Sequence, residues 1–389
     1  MMQWPSFPLG TAIELAYGKS LPKGSRTEGG NIPVYGSNGI TGWHDTAVVD
    51  GPTVIVGRKG SAGAVQFVDG PCFPIDTTYY ARPREGFDFD TKFLFYLLRQ
   101  LDLSRLKTAT GVPGLTREDA YKEQILVPPL PEQRRIVDIL SRAEGIVSLH
   151  REALAKTREL IPALFLDLFG DPATNPKGWP VKTLGELISV GPQNGLYKHV
   201  SAYGEGAPIV RIDAFYDGRL SGLGTLRRLS VTDEEIARYG LREGDILINR
   251  VNSPEYLGKS AVVPALAEPV VFESNMMRLA VDEKSVRPGY LIQHLQTGHI
   301  KTLILSKAKH AINQSSINQQ DVKSFPVPIP PLPLQDAFSA RVAEIESIQS
   351  QTTTALAAAE ATFQSLLHRA FEIVPDMTGK PAAALTVNT

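Results

Sequence analysis

Two proline-led runs constrain this chain more than anything else in it. Pro128-Pro129-Leu130-Pro131-Glu132-Gln133 opens a long polar-apolar run ending at Phe169, and Pro330-Pro331-Leu332-Pro333-Leu334-Gln335 opens another ending at Phe371. Pro128 and Pro330, Gln133 and Gln335, and Phe169 and Phe371 all stand 202 positions apart. In the first run Ile136, Leu140, Ala143, Val147, Leu154, Ile161, Leu164 and Leu168 recur at steps of three and four, with His150 and Thr157 at the remaining places of the stripe. The second run sets Phe338, Val342, Ile345, Leu356, Ala359, Phe363, Leu366 and Ala370 in the same register, with Gln349 and Thr352 at its polar places. A stripe spaced by 3.5 residues keeps one narrow apolar seam against a partner helix, and polar seam positions fix register at some cost in stability. Two unrelated core helices would show such periodicity, but would have no reason to share register, lead-in and length. The pattern predicts two helices of about 38 residues, each a rod of about 57 Å.

The duplication reaches beyond the helices. Trp4-Pro5 with Leu9-Gly10 returns as Trp179-Pro180 with Leu184-Gly185 at an offset of 175, so the second globular segment is longer by 27 residues, 202 less 175. Each unit reads as a Trp-Pro lead-in, a globular segment, a proline strap and a long helix. The implied boundaries are a globular domain over 1–127, strap and helix over 128–170, a second globular domain over 171–327, strap and helix over 328–374, and a small polar tail over 375–389 expected to be disordered. Strands are predicted at 54–56 and 64–68 between glycines, and a helix over 90–103, where Phe93, Leu94, Leu97, Leu98 and Leu101 keep helical spacing. The second segment repeats that order, with strands at 208–212, 245–248 and 260–263 and a helix over 288–295 continuing weakly toward Ile304. The straps, too rich in proline for helix, should run as polyproline II. The fold class expected is α+β: two globular domains with mainly antiparallel sheets, separated by two long helices that form an antiparallel coiled coil, in a cyclic pseudo-two-fold repeat.

Composition narrows the function classes. With 389 residues, 42% of them apolar and 21% charged, the chain is long enough for two or three cores. Nothing approaches the run of about eighteen apolar residues that a membrane span needs. Positions 1–10 carry neither the basic nor the apolar region of a signal peptide, and a single cysteine, Cys72, excludes an internal disulfide. Both point to the cytoplasm. A net charge of −1 is not the footprint of a non-specific nucleic-acid binder, so any such role needs basic residues concentrated locally or supplied by other subunits.

No catalytic constellation stands out. Gly18-Lys19-Ser20 and Gly258-Lys259-Ser260 lack the glycine a P-loop places five residues earlier, where Ile13 and Ser253 stand instead. The glycine-rich 57–63 lies between two predicted strands and reads as a hairpin or loop. Seven histidines and one cysteine show no metal spacing, and His294 and His299 lack the glutamate of a zinc-protease helix, leaving them as surface or satisfied core residues. The Asn-Pro-Pro-aromatic tetrad of adenine methyltransferases is also missing.

Duplicated Trp-Pro units, Pro-Pro-Leu-Pro straps and paired heptad helices resemble the specificity subunit of type I restriction-modification systems. The block 34–40, Val-Tyr-Gly-Ser-Asn-Gly-Ile, with 76–80, Asp-Thr-Thr-Tyr-Tyr, is similar to one class of target-recognition domain, and 244–250 with 258–263 is similar to another. The first strap matches the family's in full, whereas Leu334 stands where the family usually has glutamate. The resemblance implies a non-catalytic DNA-recognition chain, with no metal and no cofactor of its own. It implies two modification subunits, adenine methyltransferases using S-adenosylmethionine, clasping the helices. Restriction subunits, translocases driven by ATP and Mg, would join them. Each globular domain would read one half of a bipartite, asymmetric site in double-stranded DNA, with the helices as the ruler for the unread spacer.

Base reading calls for Arg, Lys, Asn or Gln, and phosphate anchoring for Arg, Lys or small hydroxyls. In the first domain Lys19, Ser20, Lys23 and Arg26 form a polar loop placed near the backbone or groove edge, while Ser37, Asn38, Arg58 and Lys59 on glycine-flanked loops could reach bases. In the second domain the candidates are Gln193, Asn194, Tyr197, Lys198 and His199, then Asn249, Arg250, Asn252 and Lys259, then Lys307, Lys309, His310, Asn313 and Gln314. For each residue the other reading is a solvated loop or a structural hydrogen bond. The seam rests on Ile136, Leu140, Val147, Leu154, Ile161, Val342, Ile345, Leu356 and Phe363. Two other classes stay open at this point: a coiled-coil adaptor that binds only proteins, which the near-zero charge favours, and an enzyme with an unrecognised site.

Overall fold

The computed structural model describes residues 4–108, 113–311 and 314–372. The tail over 375–389 therefore lies outside the described residues. The chain divides into two compact units, one of 1–152 with 353–389 and one of 153–352. Each unit combines a globular segment with part of each long helix. Residues 4–152 and 353–372 thus share one unit, as a cyclic repeat requires.

The long helices span Leu130–Phe169 and Leu332–Phe371. In the first unit Ile136, Leu140 and Val147 from the opening half of one are buried with Phe363, Leu367 and Phe371 from the closing half of the other. Half-buried Leu356 packs on the same cluster, and Arg151 pairs with Glu360. In the second unit Ile161, Phe165 and Phe169 pack with Phe338, and Val342 and Ile345 border them. The polar seam places also meet: Gln349 Nε2 donates to the Thr157 carbonyl at 2.9 Å, one turn from half-buried Leu154. Start against end in both units makes the pair antiparallel.

Toward the helix ends the buried stripe steps over by one residue. Phe165 and Phe169 are buried where the heptad pattern predicts Leu164 and Leu168, and Leu367 and Phe371 where it predicts Leu366 and Ala370. A straight helix drifts by about 20° per heptad from a 3.5-residue seam. At the ends the helices also face globular aromatics: Phe169 lies 4.7 Å from Tyr290 and Phe371 5.2 Å from Phe93, centroid to centroid.

Both globular segments are built on one strand order. In the first, Ile13–Tyr17, Thr78–Pro83, Thr53–Gly57 and Val65–Val68 lie side by side, all antiparallel. In the second the same order is Ile188–Asn194, Met276–Val281, Ile246–Asn249 and Ser260–Val262, extended by Gly218–Leu220 and Phe215–Tyr216 from the longer insertion. A few parallel pairs, such as Val34 with Phe73 and Gly218 with Ala261, interrupt the antiparallel rule. The helix expected over 90–103 runs Thr91–Gln100, started by the Asp90 carboxylate, which accepts from the Lys92 and Phe93 amides. Where a weak continuation of Pro288–Leu295 is expected, Thr297 caps a separate helix, Gly298–Lys307.

The straps depart from plain polyproline II. Pro326–Pro328 forms a strand against Val181–Thr183, and the stretch just ahead of the first strap, Gln124–Leu126, pairs with Ser6–Pro8. Proline is tolerated there because each is an isolated two-stranded edge with no further neighbour to bond. The Trp-Pro lead-ins close these ribbons: Val127 N donates to Pro5 O at 3.1 Å and Ile329 N to Pro180 O at 2.8 Å.

The strap then turns into helix through one repeated arrangement. Pro129 O accepts from the amides of Glu132 and Gln133, and Pro331 O from those of Leu334 and Gln335. Gln133 is fully buried; its Oε1 accepts from Asp90 N at 2.8 Å and its Nε2 donates to Asp88 O and Pro128 O at 2.9 Å. Gln335, equally buried, accepts from Arg287 N at 2.8 Å and donates to Pro330 O at 2.7 Å. Asp90 and Arg287 stand at the head of the globular helices, so each glutamine ties a long helix to a globular one.

His294 is a buried core residue of the second unit rather than a surface one. Its Nε2 lies 2.8 Å from Pro326 O and donates to it, while Nδ1 has no partner. Burial pushes its pKa down to about 4, helped by His299 and opposed by the Pro326 bond.

Gln133→Leu or Gln335→Leu should cost the affected unit about 3 kcal/mol, since buried amide and carbonyl groups lose their partners. Thermal unfolding measures this, and unchanged midpoints in both variants would make the amides dispensable. The neutral His294 predicts a pH effect of fixed sign. The unfolded histidine takes up a proton below its ordinary value near 6.5 while the folded one resists until about 4, so stability falls as pH drops through that window, by roughly 3 kcal/mol in all. Denaturant titrations at pH 7 and pH 4.5 should show a smaller difference for His294→Gln than for the parent.

Candidate nucleic-acid interface

The candidate residues hang on a backbone node that occurs once in each unit. In the first unit the turn at 75–77 gathers two other segments: Gly18 N donates to Thr78 O at 3.1 Å, Lys19 N to Pro74 O at 3.0 Å, and Arg58 N to Thr77 O at 2.8 Å. Leu115 N then donates to Arg58 O at 2.9 Å. In the second unit Gly195 N donates to Met276 O at 3.1 Å, Leu196 N to Phe272 O at 2.8 Å, Arg250 N to Asn275 O at 2.9 Å and Ile317 N to Arg250 O at 3.0 Å. Arg58 and Arg250 thus occupy the same place. A Cβ on Gly18 or Gly195 would fall 2.1 or 2.2 Å from the carbonyl oxygen of Ile75 or Glu273, so only glycine lets these segments meet.

Around the first node the exposed Tyr17 ring carries two guanidinium groups, Arg58 at 5.2 Å and Arg117 at 4.4 Å from its centroid. Tyr79 backs it at 5.1 Å and donates its own hydroxyl to Leu115 O at 3.0 Å. Burial pushes the Tyr79 phenol up to about 12; Tyr17 adds to that shift, and Arg58 and Arg117 oppose it. Lys59 follows Arg58, exposed, with its amide on Thr77 O. Ser37 and Asn38 form the turn between Ile32–Gly36 and Gly39–His44, and Gln66 Nε2 donates to Ser37 O at 3.3 Å. Lys19, Ser20 and Lys23 are exposed. Arg26 instead braces the hairpin, donating to Thr41 O at 2.5 Å and Leu21 O at 3.4 Å.

Around the second node Asn194 and Tyr197 are exposed, Tyr197 at 79%. Arg250 Nη1 donates to Ser274 O at 3.3 Å. The strand Val251–Asn252 pairs with Gln314–Ser316, which pairs with Lys309–Ala311, so one small sheet unites Asn252, Gln314, Lys309 and His310, two clusters that the sequence keeps apart. Exposed Lys307 leads into it; Asn313 lies outside the described residues.

Other candidates turn out to be committed within the fold. Gln193 bridges Arg238 O and the Arg278 guanidinium, Lys198 pairs with Glu235 at 2.7 Å, and His199 Nδ1 accepts from Ser201 N at 3.3 Å. Asn249 is completely buried. Lys259 donates to Ile212 O at 2.7 Å and lies 3.9 Å from the Tyr216 ring centroid, and burial lowers its pKa. Most of these partners stand tens of residues away, which loop composition cannot reveal. Conversely, composition overlooks Tyr17, Arg117 and Gln319. Arg117 and Gln319 both follow a capping residue, Thr116 and Asn318, 202 positions apart, so the repeat alone would have paired them.

Charge gathers at both nodes despite the net −1 of the chain. Among the described residues Lys19, Arg58, Lys59, Arg117, Arg250, Lys307 and Lys309 make no salt bridge, whereas Arg99, Arg219, Arg228 and Arg287 each hold a carboxylate. The described residues contain no cluster of three metal-ligating side chains and no helix long and apolar enough to cross a membrane.

The pattern of the type I restriction modification DNA specificity domain matches this sequence twice, over 1–157 and 176–357. The chain belongs to that family. Among its relatives, the EcoKI specificity subunit of Escherichia coli is 25% identical over 285 residues, 69% of this chain and 61% of that protein. The StySPI specificity subunit of Salmonella potsdam is 28% identical over 199 residues, 50% of this chain and 42% of its own. A candidate MjaX specificity subunit of Methanocaldococcus jannaschii is 31% identical over 175 residues, 44% and 40% respectively. The matched stretches thus span less than two thirds of those relatives. The fold of this specificity-family chain is that of the type I S subunit from M. genitalium, with TM-score 0.62, 18% identity and 97% of both chains covered. A second solved chain, from a study of the assembly and conformational transition of a type I system, gives TM-score 0.60 at 19% identity over 95% and 98%.

Proposed function

We propose that this chain is the DNA-reading subunit of a type I restriction-modification complex, each globular segment reading one half of a bipartite, asymmetric site. The observation that carries this reading is the repeated node. One backbone frame presents Tyr17, Arg58 and Arg117 in the first unit and Asn194, Arg250 and Gln319 in the second. Equal frames with unlike side chains suit two unlike half-sites. The uncompensated cations supply the local positive charge that phosphate contact requires. Arg250, tethered through its main chain and one terminal nitrogen, is the candidate base reader of its unit, since a guanidinium pairs with a guanine edge.

The antiparallel helices set the unread spacer and dock two modification subunits. In support, the first long helix exposes Ile139, Ile146, Leu149 and Leu160, and the second exposes Ile348 at the place matching Ile146. Such a stripe on a helix that already has a partner is an association surface. Adenine methylation with S-adenosylmethionine belongs to the modification subunits, and translocation with ATP and Mg to restriction subunits. The assembly works in the cytoplasm.

Arg250→Ala should weaken DNA binding by about 1–3 kcal/mol and relax selectivity at one position, measured as methylation by the assembled complex on matched and singly mismatched duplexes. Intact selectivity would remove Arg250 from readout. Binding of the parent that ignores salt, or none at all, would favour a protein-only adaptor instead. Ile146→Asp with Leu149→Asp should leave the unfolding midpoint unchanged yet prevent co-purification with the modification subunits; an intact complex would place docking elsewhere.

A further inference from the structure

The pair of arginines on Tyr17 goes beyond general DNA reading. Both Arg58 and Arg117 hide an unpartnered Nε, so only their terminal nitrogens face outward. Two cations within 4.4 and 5.2 Å of one ring centroid repel each other, and the ring face offsets that only in part. No carboxylate among the described residues neutralises either. The platform beneath is held firmly: Tyr17 ends the strand Ile13–Tyr17, which pairs with Thr78–Pro83, and the hydroxyl of Tyr79 is anchored on Leu115 O. Arg58 and Leu115 are joined by a main-chain bond, and Arg117 follows Leu115 by two residues, so the two side chains are fixed to one piece of scaffold.

We propose that Tyr17, Arg58 and Arg117 form a clamp for a single DNA phosphate, a step that rests on the DNA-reading function above. A guanine edge offers two acceptors and is served by one guanidinium. A backbone phosphate brings one full negative charge that both guanidiniums can share, and a non-bridging oxygen for each. In the second unit the positions matching Tyr17 and Arg117 hold Asn194 and Gln319, so no aromatic ring carries a second guanidinium next to Arg250 and no such clamp is built. Within the first segment the clamp anchors backbone, and base reading of its half-site falls to the neighbouring loop residues Ser37, Asn38 and Lys59.

The test uses the full chain, a duplex carrying the site methylated in the host genome, and binding measured over a salt series. Arg58→Ala and Arg117→Ala should each weaken matched and mismatched duplexes equally and lower the slope of log K against log salt by about one. Because one phosphate is shared, the double variant should lose little more slope than either single. Neutral methylphosphonates placed one at a time should reveal a position that weakens the parent but not the double variant. Lysine at both positions should keep most of the slope, and unchanged unfolding midpoints exclude misfolding. A full slope with lost selectivity would make the pair base readers, and unaltered binding would make them structural; either overturns the clamp alone. Absence of salt-dependent binding by the parent would overturn the clamp together with the DNA-reading function.

Discussion

A side-chain amide buried at the head of each long helix holds the architecture together. The straps are rich in proline, so they present carbonyls while lacking the N–H groups that would let them pair among themselves. Pro128 O and Pro330 O would be left without partners next to a hydrophobic core. Gln133 and Gln335 satisfy them with one end of the amide and use the other to accept from the N-cap residue of a globular helix, Asp90 or Arg287. Glutamate could only accept and would bring a charge into the core; leucine could do neither. Through this single group the direction of a long helix is coupled to the orientation of its globular segment.

With that coupling in place, the rest of each unit could diverge. The main-chain bonds at the node match pair for pair, even though the offset between copies grows from 177 at Gly18 and Gly195 to 192 at Arg58 and Arg250. Part of the added length forms strands at the sheet edge, Phe215–Tyr216 and Gly218–Leu220, where it disturbs no existing ladder. Backbone hydrogen bonds do not depend on side-chain identity, so the frame persists while Tyr17, Arg58 and Arg117 stand where the other copy has Asn194, Arg250 and Gln319. Glycine is the exception, because at Gly18 and Gly195 even a methyl group would meet a carbonyl oxygen.

The helix pair shows a similar balance between regularity and adaptation. Aliphatic residues fill most of the seam, the Gln349–Thr157 contact supplies a polar register mark, and the phenylalanines at the ends turn toward the globular aromatics. Registry is set where a polar group has only one good partner, and stability comes from the apolar turns on either side. The apolar residues left outside this seam, Ile146 and Leu149 among them, are unnecessary for pairing, which is what fits them for association with other subunits.

Much of this was legible in the residues alone. Periodicity is a local property of the chain, so the two long helices, their shared register and the doubling of the unit could be read from spacing, and the matching ends at Phe169 and Phe371 made them comparable. Strand order, the step of the seam at Phe165 and Leu367, and the work of Gln133 could not, because each depends on what a distant segment brings alongside. The site divides in the same way. Lys19, Arg58 and Arg250 stood out as basic residues on polar loops, but composition ranked Gln193, Lys198 and Lys259 equally with them. Only tertiary structure distinguishes a cation that has found its partner across the fold, as Lys259 has at Ile212 and Tyr216, from one left without a countercharge, as Arg117 is beside Tyr17. A sequence displays which charges exist; which of them remain unbalanced is settled by three-dimensional proximity, since Coulomb attraction and hydrogen bonding act through space rather than along the chain.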